Sequence, residues 1–239
     1  MGLGWFPFQA SLQGRREHRT VNTYKPLVLL GAGGHAKVLL SLIQALGLEL
    51  LGVCDPALSR QGGALWRGVK VLGGDDALGV IDPLSVGLVN GVGQVVGGTG
   101  RRSIFIGLKE KGFYFPPLVH PAAWVDSTAA LHEGVQVMAG AVIQADVSIG
   151  ANSIVNTRSS IDHDCCLGAD VHVAPGATLC GGVQVGDQAF IASGATVIQG
   201  LVVGEGAVVG AGSVLVRNLL ARQVLLGPAA REKIASRDE

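Results

Sequence analysis

Aliphatic residues return every six positions through the second half of the chain. From Val119 the series runs Val125, Leu131, Val137, Ile143, Ile149, Val155, Ile161, Leu167, Val173, Leu179, Val185, Ile191, Val197, Val203, Val209 and Leu215. Four residues after each stands a residue that is nearly always small, as at Ala123, Ala141, Ser153, Ala177 and Ala195. A unit this short cannot bury its own apolar side, so it must stack on copies of itself, and a solenoid follows. One large and one small inward residue per hexapeptide fit a narrow prism. A helix is excluded, because six is not a multiple of 3.6 and glycine is too frequent. Glycines 150, 168, 186, 204 and 210 each follow an aliphatic position and mark where the chain turns.

The first half reads differently. Pro26 to Gly31 is a short apolar run that ends in Gly31-Ala-Gly33-Gly34-His35-Ala36-Lys37. Val38 to Leu46 has helical composition and stops at Gly47; Leu48 to Asp55 reads as the next strand. Further strands are expected at Val69–Leu72 and Ser85–Asn90, and a helix at Arg101–Lys111 with Gly112 as its stop. This is a βαβ unit whose turn fits G-x-G-x-x-G/A, with Asp55 placed 24 residues after Gly31. Glycines let a phosphate approach the backbone, and the helix N-terminus favours an anion. Asp55, at the end of the second strand, is placed to accept from a ribose or base. Only about 90 residues separate Leu27 from the repeats, too few for a six-stranded dinucleotide domain. Half such a domain suits a mononucleotide or a nucleotide sugar better than NAD. The expected organisation is an extension over 1–25, a Rossmann-like α/β half domain over 26–115, a parallel β-helix over 116–219 and a tail over 220–239.

Composition narrows the partners. Of 239 residues, 48% are hydrophobic, and the formal net charge is zero with a pI near 7.0, so neither nucleic acid nor an anionic membrane is indicated. No apolar run is long enough to span a bilayer. At the start, Trp5, Phe6 and Phe8 precede Arg15, Arg16 and Arg19, the reverse of a signal peptide's order. Cys54, Cys165, Cys166 and Cys180 lack metal-ligand spacing, so a reduced, cytoplasmic protein without a metal is expected.

The repeats are interrupted by one polar stretch, Val155-Asn156-Thr157-Arg158-Ser159-Ser160-Ile161-Asp162-His163-Asp164-Cys165. His163 lies two residues after an aliphatic position, so its ring should leave the core, and two carboxylates flank it. His172 follows nine residues on. Acyl transfer to an amine or hydroxyl needs a base, which imidazole beside a carboxylate supplies. It also needs a donor for the oxyanion, either a second histidine or backbone N–H groups.

The layout from about Lys25 to Ile234 resembles the sugar O-acyltransferases of the sialic-acid O-acetyltransferase type. Within them it is most similar to bacterial N-acetyltransferases of nucleotide-linked 4-amino sugars. The carrying motifs are Leu30-Gly-Ala-Gly-Gly-His-Ala-Lys37, Val71-Leu-Gly-Gly-Asp75, Asn156 with Ile161-Asp-His-Asp164, Val171-His-Val-Ala-Pro-Gly-Ala177 and Leu226-Gly-Pro-Ala-Ala230. Gly227 stands where the family often has Asn, and Asp164 where it often has Glu. The resemblance implies a left-handed helix, a homotrimer, acetyl-CoA as donor and a product destined for lipopolysaccharide or other glycans. It implies that His163 is the base and Asp164 its polarising partner. It places His172, Gly181, Ser193, Gly210 and Ala211 along acetyl-CoA. Gly33, Gly34, His35, Asp55, Pro56, Gly73 and Asn156 then bind the acceptor. A 4-amino-6-deoxy sugar is the expected acceptor; the alternative is a hydroxyl, as in sialic-acid O-acetylation. A carbonic anhydrase on the same helix would need a third histidine beside His163 and His172, and His120 and His132 are coils away. An NAD oxidoreductase would leave the histidines of the helix without a role.

Overall fold

The computed structural model describes residues 25–227. Most of the expected extension, and residues 228–239 of the expected tail, lie outside the described residues.

Four parallel strands and one antiparallel strand make the N-terminal sheet. In chain order they are β1 (Leu27–Leu30), β2 (Leu50–Cys54), β3 (Leu65–Trp66), β4 (Val69–Gly73) and β5 (Gly87–Asn90). The sheet order is β3-β4-β2-β1-β5, with only β3 antiparallel. Helices α1 (Gly34–Ala45), α2 (Pro56–Arg60) and α3 (Gly100–Glu110) complete the unit. The expected strands and helices are present within a few residues. The short α2, the β3–β4 hairpin and a 3-10 turn over Asp75–Val80 were not foreseen.

From Leu118 onward the chain winds through three parallel sheets of seven, six and five two-residue strands. Val142 pairs with Ser160, and Ser160 with Thr178, so each coil takes eighteen residues, three hexapeptides. The first face carries Leu118, Gln136, Ile154, His172, Phe190 and Val208 on its outside. The second begins at Trp124 and the third at Ala130. The large and small periodic residues together form the prism core, from Val135 and Val137 up to Val209 and Leu215. Every sixth residue from Gly134 to Gly212 has a left-handed φ, and this sharp step turns each corner. Where glycine is absent, Asp, Asn, Arg or Gln takes that position, Asp164 among them.

After Leu215 the period breaks. Leu219 bridges Val203 and Val224 pairs with Val208, both sixteen residues apart. The last coil is therefore two residues short, and a final strand at Val224–Leu225 closes on the first face.

The first face is not free. Leu118, Met138 and Ile154 pack with Leu27, Leu29, Ala36, Leu39 and Ile43 in one buried cluster, so α1 and β1 sit directly on the lower prism. On the other side of the sheet, α3 encloses Val28, Leu30, Leu88, Leu108, Phe113 and Phe115.

Candidate active site

His163 stands in the corner between the second and third faces, in the turn joining Ser160–Ile161 to Cys166–Leu167. Asp164 adopts φ 60°, and its carboxylate Oδ2 lies 2.7 Å from His163 Nδ1. That bond assigns the proton to Nδ1 and leaves Nε2 open. The His163 backbone N–H donates to Asp162 Oδ1 at 2.9 Å, which fixes the other end of the residue. One coil above, Gly181 underlies the ring. A Cβ there would lie 2.7 Å from His163 Cε1 and Nε2, so only glycine leaves the imidazole its place. The hydrogen bond that His163 donates to Asp164, and next the charge of Asp162, hold the imidazolium pKa above its ordinary value. An imidazole with one nitrogen anchored to a carboxylate and the other exposed is a proton acceptor of the kind an amine nucleophile requires.

His172 occupies different ground. Its ring is on the outside of the first face but only 8% exposed, because the loop after β5 covers it. It meets Phe190 edge-on with centroids 4.8 Å apart. Asn156 Nδ2 lies 3.1 Å from Nε2 and so donates to it, while Asn156 Oδ1 accepts from Thr157 N. Nδ1 then carries the proton, buried against the Gln94 main chain of that loop. Burial, and then the Arg101 charge, push His172 down to about 4, so it is neutral at pH 7. His35 is treated alike. Burial and Arg101 lower it to about 4, and Nε2 donates to Gln136 Oε1 at 2.8 Å.

These histidines flank a buried polar network that sequence reading missed. Arg101, 3% exposed, donates Nη1 to the carbonyls of Asn90 and Val92 and Nε to that of Asn152. Gln136 Nε2 donates to the Asn90 carbonyl, and Asn152 Nδ2 to Asp170 Oδ1. Arg102 pairs with Asp170 at 3.2 Å. The network ties the loop after β5 to the prism. A cavity of about 220 Å³ opens beside it, between Val95, Val96 and the outer side chains Phe190, Val208 and Val224. The available signal was the apolar outward series read at eighteen-residue steps, which marks a covered face with Gln136 and His172 set among hydrophobics.

The expected acceptor residues fall into three groups. Gly33 and Gly34 are exposed at the N-terminus of the 12-residue α1, which has no side-chain cap and no acidic residue in its first turn, leaving its N–H groups to an anion. Asp55 and Pro56 line a cavity of about 380 Å³ at the C-terminal ends of β1 and β2. Asp55 is also structural: Oδ1 caps α2 through Ala57 N and Leu58 N, and Oδ2 holds Ala32 N of the Gly-rich turn, each at 2.9 Å. The Asp-Pro pair is a helix-start signal that the sequence already carries. Gly73, at φ 144°, ends β4 tight against Ala77, and its carbonyl accepts from Asp55 N. His35 and Asn156 instead face the interface between sheet and prism.

The expected acetyl-CoA residues are also divided. Gly181 shares the corner of His163. Ser193, Gly210 and Ala211 lie at the corner between the first and second faces, after Phe190–Ile191 and Val208–Val209. In a triangular coil the corner carrying His163 is opposite the first face carrying His172, so one chain does not bring them together. Among the described residues no group of three or more His, Cys, Asp or Glu is placed to hold a metal. No described helix is long and apolar enough to cross a membrane.

A stacked prism bearing a carboxylate-held histidine on an outer corner, with a nucleotide-type α/β unit docked on one face, defines a hexapeptide-repeat acyltransferase. A family model described as the PglD N-terminal domain matches residues 26–95. Perosamine N-acetyltransferase from Caulobacter crescentus, solved as a histidine-to-asparagine variant with CoA and GDP-perosamine, is 36% identical with a TM-score of 0.77 over 84% of this chain and 93% of that chain. The acetyltransferase domain of PglB from Neisseria gonorrhoeae, solved with acetyl coenzyme A, is 34% identical with a TM-score of 0.79 over 85% and 97%. WeeI from Acinetobacter baumannii AYE, 23% identical with a TM-score of 0.76 over 86% and 98%, shares the fold. The chain belongs to this family of left-handed β-helix sugar N-acetyltransferases that use acetyl-CoA.

Proposed function

We propose that the protein transfers the acetyl group of acetyl-CoA to the amine of a nucleotide-linked 4-amino-6-deoxy sugar. The observation that carries this reading is the His163–Asp164 pair on an exposed corner, with Gly181 keeping the ring in place. The unprotonated amine attacks the thioester carbonyl. The new C–N bond forms, and His163 Nε2 takes the amine proton. The C–S bond then breaks, and that proton goes to the leaving CoA sulfur. Asp164 steadies the imidazolium formed midway. The Gly181 N–H, beside the His163 ring, donates to the oxyanion. Acetyl-CoA runs along the corner of Ser193, Gly210 and Ala211 with His172 near the thioester, and Asn156 lies near the acceptor sugar. Gly33, Gly34, His35, Asp55, Pro56 and Gly73 support the nucleotide end. The relatives named for amine acetylation favour nitrogen over a hydroxyl acceptor.

Because His163 lies opposite the first face, the complete site needs a second copy. The corner of one chain meets the docked α/β unit and first face of the next, and a homotrimer closes that contact on itself. Incubation with acetyl-CoA and nucleotide-linked 4-amino sugars, read by thiol release, tests the reaction. No CoA release with any such amine sinks it.

A further inference from the structure

The larger cavity has a chemistry that distinguishes bases. Leu30, Pro56, Leu78, Val92, Ile104 and Leu108 give it apolar walls, and its volume of about 380 Å³ admits a flat heterocycle. Three charged residues line it: Asp55, Asp75 and Lys111. Both oxygens of Asp55 already accept backbone N–H groups. Asp75, the first residue of the 3-10 turn, and Lys111, at the end of α3, take part in no ion pair or side-chain hydrogen bond among the described residues. The Asp75 carboxylate acts over the cavity floor, since after burial it is the next cause raising the Cys54 thiol to about 11.

Resting on the reading of the acceptor as nucleotide-linked, we propose that this cavity selects guanine, with Asp75 accepting from N1–H and the 2-amino group and Lys111 donating to O6. A carboxylate accepts two parallel donors well. Guanine alone offers two adjacent donors on its pairing edge, beside a carbonyl that suits an ammonium. Uracil and thymine present one N–H between two carbonyls, and a carboxylate there meets acceptor against acceptor. Adenine and cytosine set their amino group beside an unprotonated ring nitrogen, with the same conflict. The preferred acceptor class is therefore a GDP-linked amino sugar, and Asp75 is the residue that determines it.

Calorimetric titration of the full chain with GDP, UDP and dTDP tests this. GDP is expected to bind about ten-fold or more tightly than the other two, the discrimination a two-donor base contact provides. Asp75→Asn should remove most of that gap, weakening GDP and tightening UDP, with the melting temperature unchanged, since Asp75 is exposed. Lys111→Met should weaken GDP alone. UDP or dTDP bound as tightly as GDP overturns the proposal, as does an Asp75→Asn variant that keeps the preference. A second arm measures CoA release with the same amino sugar on GDP and on UDP. Faster turnover of the UDP-linked amine overturns the guanine assignment and leaves acetyl transfer standing. A GDP preference with no CoA release from any amine supports the base assignment and sinks the transferase reading.

Discussion

Asp164 holds His163 through one hydrogen bond on an open corner, so the effects of both residues belong in catalysis and not in stability. His163→Ala should lower kcat/KM by about a hundred- to ten-thousand-fold, the usual contribution of a general base, with an unchanged melting temperature. In the proposed mechanism the base must be unprotonated to act, so activity should rise with pH through the His163 pKa. Asp164 raises that pKa above the ordinary 6.5. Asp164→Asn should therefore move the rising limb of the kcat/KM profile to lower pH while reducing its plateau. A limb that stays in place would show that another group titrates. Gly181→Ala would press a methyl into the ring, but a side chain at a corner can swing away. Its expected signature is a fall in kcat with little loss of stability, because a misplaced base costs rate steeply.

At the scale of elements, the corner glycines behave differently from Gly181. A Cβ at Gly150 would collide with the carbonyl of Gly168 and with Ala169 N, all main chain of the coil above. Gly150→Ala should thus lower the unfolding free energy by more than Gly181→Ala does, as measured in urea. The interface between sheet and prism adds a pH dependence. His172 is neutral in the fold, its pKa lowered to about 4 from 6.5. The unfolded chain then binds more protons between those values. Its contribution is full above pH 6.5 and is lost as pH falls toward 4, at about 1.4 kcal/mol per pH unit in mid-window. His35 acts in the same direction. Urea midpoints from pH 7 to 4.5 should fall, and more gently in a His172→Gln variant. The period of six was enough to read the prism, its inward residues and the exposed placement of His163. It did not reveal that His172 is buried, because the covering loop comes from residues 94–101, far away in sequence. Arg101 read as an ordinary residue at a helix start for the same reason. The short last coil was invisible because Leu219 still fitted the series of small and aliphatic positions.

The whole molecule carries its chemistry on opposite sides. With the base at one corner and His172 with the docked unit on the far face, activity should appear only in an assembly. Sizing should give three times the 24.4 kDa chain. Mixing inactive His163→Ala and Asn156→Ala chains under exchange should restore about a quarter of wild-type activity, the share of contacts pairing two intact halves. Sizing as a monomer, or no recovery on mixing, would refute a shared site. The eighteen-residue coil has a last consequence. The prism is threaded like a screw, and its phase is conserved only by whole turns. Eighteen residues duplicated between Val197 and Val203 would lengthen the rod by one strand spacing, about 4.8 Å, and leave every side chain below in place. Six residues inserted between Ile154 and His163 would keep the inward pattern intact, yet rotate the base by a third of a turn onto another edge. A chain so altered should keep its coil, but Asp170 and His172 would leave the loop after β5, so it should melt lower and transfer nothing.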